Sequence, residues 1–205
     1  MPEWWTYSLS DFLMFSPRTY WRLVELYNRD FWPLHLPLLA GGLAALGLAA
    51  SRRRNALRWI AFALSAAWLW VGWAFLWERY ATINWAAQYV ALAFAVQALL
   101  LMGTSLMPSN VAVRQGTAWR GLGWLLVAAG LVYPLVGLAV GRPWVQAEVF
   151  GMAPEPTALF TLGLLLLSGH PASRAGRTLL LPIPVLCLVL GAATGWTFSE
   201  LNTPP

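Results

Sequence analysis

The sequence predicts an all-α integral membrane protein, a bundle of six transmembrane helices preceded by an amphipathic interfacial helix, and three observations carry that prediction. Of the 205 residues 59% are hydrophobic and only 10% charged, with a mean hydropathy of +0.60, whereas a soluble domain carries roughly 25% charged residues. The apolar residues gather into six runs, and crossing a hydrocarbon core of about 30 Å takes about 20 helical residues. The charges fall between the runs, with arginine alone in alternate connections and every acid in the others.

The first 30 residues contain Glu3, Asp11, Glu25 and Asp30 and lack a basic stretch followed by an apolar one. They do not read as a cleavable signal, so the first apolar run is expected to serve as its own insertion signal. Ser16 can cap a helix with Pro17 at its first position, where proline loses no hydrogen bond. Tyr20, Leu23, Val24, Tyr27 and Phe31 then recur at helical spacing opposite Arg18, Arg22, Glu25 and Arg29. Such a helix either lies along the outer membrane surface and bends into the first span at Trp32-Pro33, or packs as a cap over the bundle.

The six apolar runs are Pro33 to Ala50, Trp59 to Trp77, Ala81 to Met102, Gly121 to Val140, a short one from Pro154 to Ser168, and Leu179 to Trp196. The organisation read from them is an outer-face amphipathic segment over residues 1–32, a six-span membrane domain over 33–198 and a short outer tail over 199–205. Arg52, Arg53, Arg54 and Arg58 lie between the first two runs, Arg114 and Arg120 between the third and fourth, and Arg174 and Arg177 between the fifth and sixth. By the positive-inside rule these connections are cytoplasmic, which expects both termini on the periplasmic side of a bacterial inner membrane. A pI near 10.0 is explained by this asymmetry, and no nucleic-acid partner is expected. Small residues at every fourth position, Gly41, Ala45 and Ala49, then Gly191 and Gly195, permit close helix contact. Of the fourteen tryptophans, Trp4, Trp5, Trp32, Trp77, Trp85, Trp144 and Trp196 fall near outer ends and fit an interfacial belt, with a stacking surface for a quinone or sugar as the competing reading.

Mid-run positions hold no Asp, Glu, His, Lys or Arg, the usual mark of a proton relay or a charged-substrate pathway. Two histidines, His35 and His170, a single cysteine, Cys187, and no lysine cannot build a multi-histidine metal centre or a cysteine cluster, and no phosphate-cradling glycine loop is present. No cofactor, metal or catalytic residue is therefore expected. The most informative stretch is the fourth connection, GRPWVQAEVFGMAPEPT from Gly141 to Thr157. A helix starting at Pro154 falls short of the bilayer, so Val149 to Pro154 should pack inside the bundle as a plug or as the floor of an outward vestibule. Glu155 in its first turn suits the helix dipole, and Pro134 should kink the fourth run below Tyr133. The ionisable, amide and aromatic side chains gathered on this outer face form the candidate site: Asn28, Asp30, Trp32, His35, Glu78, Tyr80, Asn84, Tyr133, Glu148, Phe150 and Glu155.

Three stretches, RLVELYNRDFWP at Arg22 to Pro33, YPLVGLAVGRPW at Tyr133 to Trp144 and VFGMAPEPTALFTLGLLLL at Val149 to Leu167, resemble a family of uncharacterised bacterial multi-pass inner-membrane proteins. Members of that domain-of-unknown-function group are sometimes labelled permeases by automatic naming. The resemblance implies a bacterial inner-membrane protein and brings no catalytic residue or cofactor with it. The functional expectation is a non-catalytic membrane protein, an accessory or assembly subunit or a binder of a lipid-like ligand. Membrane lipids and other membrane subunits are its expected partners. The alternative is a permease or channel for a small neutral solute or ion.

Overall fold

The computed structural model describes residues 15–51, 55–106, 117–167 and 178–202, and among them the chain is all-helical, with no strand. Trp4, Trp5, Arg52 to Arg54, Arg114, His170, Arg174 and Arg177, all named in the sequence analysis, lie outside the described residues. Helix α1 (Pro17–Asp30) starts where expected: the Ser16 hydroxyl accepts from the Thr19 amide and Pro17 stands at the first position. Its buried face is Tyr20, Val24, Tyr27 and Asn28. On the other face Glu25 pairs with Arg22 at 2.8 Å and Arg29 at 2.7 Å. After a turn with a cis Trp32-Pro33 bond, α2 (His35–Ala50) leaves at 88° to α1. Of the two arrangements the sequence allows, α1 adopts the packed cap, lying across one end of the bundle.

Helix α3 (Ala56–Trp70) runs on without a break into a π-helical stretch, Val71–Trp77, and α4 (Ala87–Leu106) returns beside it. The pairing is antiparallel. Ser65 donates to the Ala98 carbonyl at 2.7 Å, Trp68 lies 4.3 Å from the Phe94 ring, and Gly72 leaves room for Phe94 one turn on. Helix α5 (Thr117–Val132) breaks at Tyr133 and continues as the short α6 (Pro134–Ala139), because Pro134 has no amide hydrogen for the carbonyl a turn earlier. Helices α7 (Pro154–Leu167) and α8 (Pro182–Asn202) complete the bundle.

The centre of the fold is α7. Every residue of it is buried except Glu155, Leu159, Leu166 and Leu167, and a helix that is apolar on all sides is one surrounded by other helices. It lies antiparallel to α5 along a glycine seam. A β-carbon at Gly163 would stand 2.6 Å from the Val127 amide nitrogen and 2.7 Å from the Gly123 carbonyl, and one at Gly130 would stand 2.8 Å from the Pro156 carbonyl. The Trp68 indole reaches across from α3 to donate to Thr161 at 2.8 Å, and Thr161 in turn donates to the Thr157 carbonyl.

Six full spans are not supported. Among the described residues three helical stretches are long and apolar enough to cross a membrane, Ala56–Thr82, Ala87–Leu106 and Thr178–Leu201, or four if α1 and α2 count as one bent span. The fourth and fifth apolar runs fold as shorter helices. The fourth run is cut short at Tyr133 by Pro134, and the fifth, α7, is buried among other helices, where an apolar run looks the same in sequence as one buried in lipid. Two boundaries also move. Helix α4 begins at Ala87 because residues 80–86 are taken up by a 3-10 turn, Tyr80–Thr82, and its exit. Helix α8 continues through Ser199 to Asn202, into the segment expected to be an outer tail.

Candidate functional site beneath the cap helix

The connection from Gly141 to Ala153 runs beneath α1, and its second half is irregular backbone enclosed by protein: Ala147, Glu148, Val149, Phe150, Met152 and Ala153 are all buried. Enclosed backbone needs partners for its amides and carbonyls. The cap helix supplies them. The Asn28 amide donates to the carbonyls of both Val145 and Ala147 at 2.9 Å. Its oxygen accepts from His35 Nε2 at 3.1 Å, which fixes the ring with Nδ1 as a buried atom lacking a partner among the described residues. Further along, Gly151 takes a left-handed conformation, φ +77°, and a β-carbon there would meet Leu38 at 3.0 Å. Thr157 closes the turn by accepting from the Gly151 amide and donating to the Ala153 carbonyl.

Two acids sit in this corner. Glu148 accepts a hydrogen bond from the Tyr20 hydroxyl at 3.0 Å, and the Arg142 guanidinium stands 3.8 Å from its other oxygen. Arg142 itself lies over the Trp21 ring, 3.8 Å from the centroid. Burial pushes the Glu148 carboxyl above its ordinary range, and the Tyr20 hydroxyl and Arg142 pull it part of the way back. Glu155, in the first turn of α7, presses against the backbone of α8 at Gly191, where a β-carbon would clash with its carboxyl group. Its Oε2 is buried and has no hydrogen-bond partner among the described residues. Tyr133 and Cys187 lie within electrostatic reach of Glu155, and Tyr133 also within reach of Glu148.

The structure therefore draws together Asn28, His35, Tyr133, Glu148, Phe150 and Glu155 around one connection, with the Phe150 ring tilted against Phe160 at 4.3 Å between centroids. Tyr80 joins the edge of the same cluster through Tyr20, 5.6 Å between centroids. The other candidates stand apart. Asp30 pairs with Arg79 at 2.8 Å, Trp32 is exposed beside His35, Glu78 is exposed, and Asn84 caps the turn before α4 by accepting from the Ala86 amide. The sequence-derived candidate site omits Tyr20, Trp21, Arg142 and Gly191, the last read only as a helix-contact glycine. Tyr20 was visible as a member of the apolar face of α1, and Arg142 as an arginine out of place among the acids of its connection. Among the described residues no three His, Cys, Asp or Glu side chains converge as metal ligands. The chemistry available to the corner is hydrogen bonding and proton exchange at two enclosed carboxyl groups.

A family model described as "Family of unknown function (DUF6064)" matches residues 18–202. No curated protein and no solved structure matches the chain.

Proposed function

The chain belongs to the family of unknown function DUF6064, and from that premise we propose that it is a non-catalytic integral membrane protein, an accessory or assembly subunit of a larger membrane complex. One observation carries this reading. The stretch Thr178–Leu201 is 24 residues long and strongly apolar, yet only 17% of its apolar window is buried by the rest of the chain. Leu179, Leu186, Val189, Trp196 and Leu201 are all more than half exposed. A helix of that kind needs lipid or another apolar helix around it, since a contiguous apolar face is not sustained in water. The reading places the chain in a bacterial inner membrane, with the arginine-rich connections in the cytoplasm and both termini in the periplasm. Six helical legs, α2, α3, α4, α5 with α6, α7 and α8, then alternate in direction, the shorter ones reaching only part of the way.

A second reading, a permease or channel for a small neutral solute or ion, is favoured by the buried, unpartnered Oε2 of Glu155. An enclosed carboxyl oxygen without a donor is costly, and polar groups kept inside membrane bundles often serve a pathway.

Purification from the native membrane in mild detergent, with mass spectrometry of the proteins and small molecules retained, separates the two. Stoichiometric partner chains would support the accessory subunit. A lone chain or homo-oligomer holding one small molecule would overturn that reading in favour of permeation, and Glu155→Gln should then abolish uptake while insertion and yield stay unchanged.

A further inference from the structure

At the end of the bundle away from the cap, the start of α3 meets the end of α4, and between them lies a cleft of about 260 Å³ lined by Asn55, Arg58, Trp59, Phe62, Ser105 and Leu106. The cleft is two-sided in its chemistry. Arg58 uses Nε to donate to the Ser105 carbonyl at 2.9 Å, one of the carbonyls in the last turn of α4 that has no donor within its own helix. That bond fixes the plane of the guanidinium. Among the described residues no carboxylate pairs with its two Nη groups. Asn55 stands at the N-cap of α3 with a side chain that makes no capping bond. The remaining wall is apolar and open: Trp59 is 61% and Leu106 70% exposed, with Phe62 edge-on to Trp59 at 6.5 Å.

The geometry points to a binding site for an anionic phospholipid, its phosphate held by the Arg58 Nη groups and the Asn55 amide and its acyl chain lying along Trp59 and Phe62. This rests on the membrane reading above and adds a ligand class and a location to it. Three arguments select the occupant. A guanidinium held by Nε presents two parallel N–H groups, the spacing of two oxygens on one phosphate. Trp59 and Phe62 follow Asn55 along α3 by about one and two turns, so the apolar wall they form leads from the polar head along the helix, as an acyl chain must. The sequence places Arg52, Arg53 and Arg54 immediately before Asn55, and a basic cluster beside a cytoplasmic bilayer surface attracts lipids of net negative charge over zwitterionic ones.

The test uses the purified full-length chain in an uncharged detergent, titrated with phosphatidylglycerol or phosphatidylcholine of matched acyl chains and read by native mass spectrometry. One phosphatidylglycerol should be retained with affinity about tenfold above phosphatidylcholine, the effect of about 1.4 kcal/mol. Arg58→Gln should abolish that preference. Because Arg58→Gln also removes the contact to α4, Asn55→Asp provides a second variant: aspartate caps a helix as well as asparagine does, so thermal stability should hold while the added charge repels the phosphate. Equal binding of the two lipids, or wild-type preference in Asn55→Asp, overturns the site. Displacement of the lipid by millimolar inorganic phosphate would assign the cleft to a free anion and overturn it equally. Alkaline carbonate extraction of native membranes distinguishes the two levels of failure. A chain released by carbonate overturns the membrane reading itself, whereas one that stays in the membrane and shows no lipid preference overturns the phospholipid site alone.

Discussion

Asn28 and Glu148 are the two residues on which the corner beneath the cap turns, and they do so by different physics. The Asn28 amide satisfies two carbonyls of an enclosed connection at once, so Asn28→Ala leaves both without a donor. A buried acceptor left unpaired costs about 1–3 kcal/mol. The variant should unfold at lower temperature and become open to limited proteolysis within residues 145–153, while the wild type resists cleavage there. Glu148 acts through its proton. A carboxyl raised in the fold, here by burial, contributes most to stability at acid pH, below the value it has in the unfolded chain. That contribution is lost as pH rises through the shifted value. The unfolding temperature in detergent should therefore contain a component that falls as pH is raised from the ordinary carboxyl range. Glu148→Gln, which still accepts from Tyr20, should flatten it, and an unchanged slope would refute the role given to burial. The acids were legible in the sequence as acids on one face. Their partners were not, because Tyr20 and Arg142 reach Glu148 across tertiary contacts that no spacing encodes.

Among the elements, α1 was the most fully legible and α7 the least. Ser16 with Pro17, the repeat of Tyr20, Val24 and Tyr27, and the counter-face of Arg22, Glu25 and Arg29 are local signals, and α1 obeys all of them. Whether its apolar face met lipid or protein depended on what lay beneath, and there periodicity is silent. In α7 the apolar run was plain, but its place at the centre of the bundle is set by the glycines of two helices. Gly123 and Gly130 of α5 and Gly163 of α7 let the backbones approach until no methyl fits. Gly163→Ala should therefore force the pair apart at a cost of about 1–3 kcal/mol, as overpacking does. Gly195→Ala in α8, where nothing stands within 4 Å, should hold the unfolding temperature or raise it slightly, alanine being the better helix former. Equal losses in the two variants would contradict the seam.

At the scale of the molecule, charge and apolar surface are arranged along different axes. The acids Asp30, Glu78, Glu148 and Glu155 belong to elements at the cap end of the described bundle, whereas Arg58 marks the other end. The orientation proposed above puts the termini in the periplasm on the strength of the arginine-rich connections. A reporter active only in the periplasm, fused after Pro205, should be active, and one active only in the cytoplasm silent; the reverse pattern would invert the proposed orientation. The all-helical character was open to the sequence, since apolar runs of helix length with few charges inside them fold as helices. The number of full crossings was not, because three long helices and the shorter ones packed against them draw on the same residue types. The distance along the chain between the cap and what it covers also sets an order of events in time. The bond from Asn28 to the Val145 carbonyl joins residues 117 positions apart, and at roughly 5–20 residues made per second the wait between them is on the order of ten seconds. The contacts of α1 with Phe75 and Arg79 can form sooner, but the two Asn28 bonds must wait, so the full closing of the cap is a late act, available to report that the connection beneath it has arrived.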